Sequence, residues 1–249
     1  MVTTMAHARR TGALDHSKLI DLTYSFDRNT IYWPTEKPLH HEFENFGSQD
    51  GYFYASGKFA APEHGGTHMD APIHFNQNGS HADQVPLADC IGPAAVIDFS
   101  RRAAKDPDAM LSVDDIKAYE ESYGQIPDGA IVVARSGWGK FWPDRKHYLG
   151  IDEPDVVADL HFPGYSPEAA EWLVKNRNLA AIAIDTASMD RGASRDFRVH
   201  RIWLGANKPG FENIANAGKL PPSGATIFCI PMKLGDGTGA PTRAFALMP

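Results

Sequence analysis

Cysteine is nearly absent from this 249-residue chain, which carries only Cys90 and Cys229. Two thiols cannot build the disulfide framework of a small secreted domain, so a reducing, cytoplasmic setting is expected. In that setting the Asn78-Gly79-Ser80 sequon has no meaning. Long apolar runs are missing too. None reaches the roughly eighteen residues needed to cross a bilayer. The opening MVTTMAHARRTGALDH also lacks the apolar centre and cleavage signal of a secretory peptide. Positive charge is in deficit, with 24 Lys and Arg against 31 Asp and Glu for a net charge of −7. A nucleic-acid or anionic-membrane partner needs a basic stripe, and neither is expected here.

Internal repeats, low-complexity segments and long linkers are likewise absent. The length suits one large domain with a real core, and 43% hydrophobic with 22% charged residues is ordinary for a globular protein. Residues 1–17 read as a flexible tail and 18–249 as the domain. Short apolar runs bounded by Gly, Pro or charge predict strands at Leu19 to Tyr24, Tyr52 to Ala60, Ala94 to Phe99 and Ala130 to Arg135. Others fall at Ala180 to Asp185, Ala225 to Ile230 and Ala244 to Met248. Two helices have start signals: Ser112 opens a capping-box-like run that Gly124 ends, and Ser166-Pro167-Glu168 opens another. The pattern is α/β, a single domain with a mixed sheet.

The chemistry is concentrated in PEHGGTHMDAPIHF, Pro62 to Phe75. His64, His68, Asp70 and His74 fall within eleven residues and share one parity, so an extended backbone would turn all four to one face. Two glycines and Pro72 disfavour a helix, which removes the helical His-Glu-x-x-His zinc motif from consideration. A twisted strand or tight loop converging on one ion fits better. Imidazoles with a carboxylate suit zinc or manganese, and three protein ligands leave a position open for water. Chance clustering among eleven histidines is the bland alternative. Four ligand types at one parity among Gly and Pro weigh against it.

Other motifs mislead. Gly235-Asp236-Gly237-Thr238-Gly239 resembles a phosphate loop, but only ten residues follow, so it reads as a turn, with a smaller chance of lining the active-site floor. Ser136 in ARSGWG has Ala134 where a nucleophile elbow needs glycine. Aromatic residues flank the metal motif at Tyr32, Trp33, Phe43, Phe46, Phe53, Trp138, Phe141 and Trp142. Most read as core or interface packing. Trp33 and Trp138, each in a Pro- or Gly-rich loop, are the candidates for stacking on an aryl substrate.

The string HGGTHMDAPIH resembles the signature of the cyclase-type metal-dependent hydrolases, the family of bacterial kynurenine formamidase and isatin hydrolase. Downstream, DTASMD, VHRIWLGANKPGFENIAN, LPPSGATIFCIPMKL and GTGAPTRAFA follow the family pattern in order. The resemblance spans about Leu19 to Ala246. It implies a swivelling β/β/α fold with barrel character and a homo-oligomer, dimer or tetramer. By position it makes His64, His68 and Asp70 the primary metal ligands and His74 the catalytic histidine. His200 and Glu212 would complete a second ion shared through Asp70. Taken without the motif, Glu212 reads as a capping or salt-bridged acid and His200 as a satisfied core histidine. Pro209 and Gly210 should break that segment into a helix-like stretch, VHRIWLGANK, and a restart at FENIAN.

The activity implied is hydrolysis of the carbon–nitrogen bond of an aryl amide in tryptophan or indole degradation. One or two ions, Mn2+ or Zn2+, would lower the pKa of bound water from 15.7 to roughly 7. His74, titrating near neutrality, would relay its proton to the leaving nitrogen. Isatin is slightly favoured over N-formylkynurenine, because the chain is longer around Trp138 to Phe162 than in compact formamidases. Two readings compete: a cyclase or lyase acting through an enolate, and a metal-binding protein without catalysis. Retention of His74 counts against the second.

Overall fold

The computed structural model describes residues 15–151, 153 and 156–249. In chain order its strands are β1 (Leu19–Asp21), β2 (His40–Gln49), β3 (Tyr52–Ala60), β4 (His68–Asp70), β5 (Ile91–Asp98) and β6 (Met110–Leu111). There follow β7 (Ile131–Arg135), β8 (Gly164–Tyr165), β9 (Ala181–Ile184), β10 (Gly210–Glu212), β11 (Thr226–Pro231) and β12 (Gly239–Leu247). Helices α1 (Ser100–Ala103), α2 (Val113–Tyr123), α3 (Arg145–Leu149), α4 (Pro167–Asn176) and α5 (Arg198–Trp203) lie between them. Residues 1–14 of the expected tail are outside the described residues. Asp15 does not behave as a tail: its carboxylate accepts from Ser17 N and caps a 3-10 turn over His16–Lys18.

Strands β5, β7 and β9 are parallel and almost wholly buried, which is why they read as unbroken apolar runs. Alternate side chains serve two cores. Ile97, Val132 and Ile184 pack with Ile116 of α2 and Leu173 of α4, while Val96, Val133 and Ala183 face Met69, Phe211 and Ile227. The sheet order β12-β11-β5-β7-β9-β10-β4 returns to β12 and closes a seven-strand ring, with β1 added along β12. The fold is therefore mixed α/β with a barrel-like sheet. Both helix signals are physical: Ser112 and Asp115 form a reciprocal capping box on α2, and Ser166 caps α4 with Pro167 in its first turn.

Register in the ring is what gathers distant residues. β4 lies between β10 and β12, pairing Glu212 with His68 and Gly210 with Asp70. Directly opposed residues share a face, so Glu212 stands beside His68 although 144 positions separate them in the chain. The restart expected at FENIAN opens as the end of strand β10, which covers Gly210–Glu212. Gly210, Phe211 and Glu212 are drawn into the ring by β4 and β9, and tertiary pairing overrides local propensity.

Candidate metal centre

His68 and Asp70 project from the same face of β4, as period-two alternation requires, while Met69 points into the core. The one-face expectation for all four residues holds only for this pair. His64 precedes a turn in which Gly66 takes a φ of 57°, and His74 closes a 3-10 turn over Pro72–His74. The turns still bring them together: the His64 and His74 rings stack at 4.0 Å. Gly65 is bridged to Tyr32, and a Cβ at that position would overlap the Tyr32 ring.

Asp70, 1% exposed, is the hub. Its Oδ1 lies 2.7 Å from His64 Nδ1 and 3.2 Å from His68 Nε2, and its Oδ2 lies 3.1 Å from His200 Nε2. Glu212 Oε2 is 3.5 Å from His68 Nε2, and Glu212 Oε1 is 3.3 Å from His200 Nε2. Two triads with ligand atoms within 4.8 Å of one another share this carboxylate: His64, Asp70, His74 and His68, Asp70, Glu212.

Three of the four histidines, His64, His68 and His200, have their other nitrogen already engaged. His68 Nδ1 is 3.0 Å from the Gly66 carbonyl, which can only accept, so that nitrogen is the donor. Thr238 donates its hydroxyl to Glu63 Oε2 at 2.6 Å, which leaves Thr238 Oγ1 to accept from His64 Nε2 at 2.9 Å. His200 Nδ1 is held by Asp190 Oδ2 at 2.7 Å. In their neutral forms the inner nitrogens therefore present lone pairs to two carboxylates. His68 Nε2, buried, has no hydrogen-bond partner at all. Lone pairs converging on carboxylate oxygens in a buried site call for a cation, and a tether on the far nitrogen is the usual setting of a metal-ligating histidine.

Electrostatics agree. Burial opposes the charge of Asp70, but His64, His200 and His68 outweigh it and hold the carboxyl well below the usual range. Burial and the charge of Asp70 raise Glu212, with His200 opposing. Burial lowers His200, yet Asp190, Asp70 and Glu212 together carry it well above its ordinary value. His68 is likewise raised by Asp70 and Glu212 against burial. The pair of acids thus attracts positive charge from every side. His74 differs from the expectation of near-neutral titration: desolvation lowers it to about 4, with Asp70 opposing. It is neutral at pH 7.

A cavity of about 230 Å³ opens on this cluster, walled by Trp33, Phe75 and Phe197 among others. Trp33 thus lines the cavity beside the cluster. Trp138 does not, and its assignment is corrected: the indole is 6% exposed, packs with Phe141 and donates Nε1 to Tyr148 O at 2.8 Å. A glycine-rich neighbourhood conceals such burial. Nothing local in the sequence marks Phe75 or Phe197 as cavity-lining, although Phe75 directly follows His74. Ser136 lies away from the cavity and bonds Asp185 at 2.5 Å. The turn at Gly235 to Gly239 is a turn, and it buttresses the site through Thr238. A Cβ on Gly239 would sit 2.6 Å from His64 Cε1.

Asp190 offers a test of the tethers. Its carboxylate also accepts from Val199 N at 3.1 Å at the start of α5, a cap that asparagine can keep. Asp190→Asn is expected to weaken metal binding or activity by about 10- to 100-fold with the fold intact. Competition titration with a chelator measures it, and unchanged affinity would show that the Asp190–His200 bond does not tune the site.

Comparison with known proteins agrees with this fold. A family model described as putative cyclase matches residues 20–191. An isatin hydrolase of Roseibium aggregatum is 34% identical over 248 residues, spanning 96% of this chain and 90% of that protein. A kynurenine formamidase of Salinibacter ruber is 26% identical over 231 residues, 91% of this chain and 95% of that protein. Among solved structures, isatin hydrolase A from Ralstonia solanacearum superposes with a TM-score of 0.85 at 31% identity, over 93% of this chain and 92% of that one. The chain belongs to the cyclase family, and its enzymatic class is metal-dependent amide hydrolysis.

Proposed function

We propose that this chain hydrolyses the carbon–nitrogen bond of a small aryl amide, with isatin, opened to isatinate, ahead of N-formylkynurenine. The observation that carries the reading is the set of tethered histidines aimed at Asp70 beneath an aromatic-walled cavity. The greater identity to the isatin hydrolase than to the formamidase supports the order of substrates. His64, His68 and Asp70 would hold the ion, with His200 and Glu212 completing its shell or a second ion. The orphaned His68 Nε2 fits this assignment. Mn2+ and Zn2+ both suit nitrogen and carboxylate ligands. A divalent ion bound there supplies Lewis acidity, polarising the carbonyl and making water acidic enough to react near neutrality.

The protein's own groups do the rest. Trp33 offers a face for the aryl ring at the cavity wall. Neutral His74 takes a proton from the attacking water and returns it to the leaving nitrogen, so the products are a carboxylate and an aryl amine. No helix among the described residues is long and apolar enough to cross a membrane. With a net charge of −7, the chain fits a cytoplasmic homo-oligomer acting on a small molecule in indole or tryptophan breakdown. A panel of isatin and N-formyl aryl amines, assayed with Mn2+ or Zn2+ supplied, tests the reading. Isatin should show the higher kcat/KM; a chain inert to every aryl amide in the metal-loaded form would overturn it.

A further inference from the structure

Among the described residues, Arg135 is the only arginine with a buried side-chain nitrogen that lacks a hydrogen-bond partner. It ends β7, directly opposite Asp98 at the end of β5. Its Nη1 donates to Asp98 Oδ2 at 2.9 Å. The remaining edge of the guanidinium, Nε with Nη2, is a pair of parallel donors of the kind that grips a carboxylate or phosphate through two bonds. Nε is buried and unpaired, and Nη2 has no acceptor among the described residues. A buried donor without an acceptor is costly, so this edge calls for an oxyanion. Gly218 keeps it open, since a Cβ there would sit 3.3 Å from Nη2 and 3.5 Å from Nε.

The edge belongs to a cavity of about 390 Å³ that shares no lining residue with the cavity of the metal centre. It opens at the carboxyl ends of the parallel strands β7 and β9, where Arg135, Gly137 and Asp185 line it. That is where α/β sheets usually take ligands. Two more cations, Lys140 and Lys219, line it as well, both exposed and neither ion-paired among the described residues. Three cations around one cavity run against the net charge of −7. The acid in its wall does not compete for them. Asp185 already accepts from Ser136 N and Gly137 N at 2.8 Å and from Ser136 Oγ at 2.5 Å. We propose that this cavity binds a small organic acid, its carboxylate or phosphate on the Nε–Nη2 edge of Arg135 and its body against Tyr24 and Ile214. Lys140 and Lys219 supply charge at the rim. The site goes beyond the proposed activity and rests on none of it.

The experiment is titration calorimetry of the metal-loaded chain with benzoate and with phenyl phosphate. The proteins are the wild type, Arg135→Lys and the double variant Lys140→Gln/Lys219→Gln. Arg135→Lys keeps a cation for Asp98 but loses the two-pronged edge. Any acid held at the metal ion is still held in that variant, so the equivalent it loses reports the cavity. The wild type should bind one equivalent more than Arg135→Lys of whichever acid fits, and the better of the two names the anionic group. The double variant, altered only at exposed side chains, should keep that equivalent at about 10-fold weaker affinity. Added salt should weaken the wild type in the same direction. Circular dichroism and metal content check that the fold is shared. Identical binding of both acids by the wild type and Arg135→Lys would overturn the proposal. So would an affinity that neither the double variant nor salt alters, a result that stands even if Arg135→Lys fails to fold.

Discussion

Replacing Asp70 with alanine is expected to remove bound metal and activity together while the barrel remains folded. No other side chain belongs to both ligand triads. Its two oxygens face His64, His68 and His200 at 2.7–3.2 Å, so the substitution withdraws the one carboxylate common to them. The backbone of β4 stays paired on both sides, to β10 and to β12, whatever side chain position 70 carries. Elemental analysis alongside near-ultraviolet circular dichroism separates loss of metal from loss of fold. Full metal content in a folded Asp70→Ala protein would contradict the assignment of the hub.

The second large effect belongs to His74. As a proton relay its removal in His74→Ala should lower turnover by about 10²- to 10⁴-fold, the range usual for general acid–base groups. Metal content should change little. The geometry makes this a demanding test, because His74 also lies within ligand reach of His64 and Asp70. An inactive variant that has lost its metal would make His74 a ligand instead. The pH dependence adds a sign. Desolvation lowers His74 to about 4, so the wild-type imidazole is neutral and able to accept a proton at any higher pH. The ratio of wild-type to variant turnover should therefore stay level from about pH 9 to about pH 6 and shrink only as the pH falls towards 4. A ratio that collapses near pH 6.5 would point to a relay titrating at the ordinary histidine value.

What the sequence discloses follows from distance along the chain. His64, His68, Asp70 and His74 are legible because they are adjacent and because parity and glycine content are local properties. Glu212 and His200 are suggested by the family pattern alone. The β4–β10 register that places Glu212 beside His68 is a tertiary fact with no local trace. The tethers Thr238 and Glu63 are hidden for the same reason. Thr238 meets His64 across 174 positions and Glu63 across 175. Trp138 and Trp33 sit in similar sequence surroundings, yet one is sealed against Tyr148 and the other faces the cavity.

The fold shows the same division. Buried parallel strands such as Ile131–Arg135 declare themselves by unbroken apolar composition. Strand β2 does not, because its bulge moves the aromatic positions from odd to even numbers and breaks the period of two. The short strand at Gly210–Glu212 has too few residues for any period.

The central claim is that water is consumed, and it can be tested on the product. Turnover of isatin or an N-formyl aryl amine in heavy-oxygen water, with the metal-loaded enzyme, should place one heavy oxygen in the product carboxylate. Chelation of the metal should abolish that signal. A product formed at the same rate with no added oxygen would mean ring closure or elimination instead of hydrolysis.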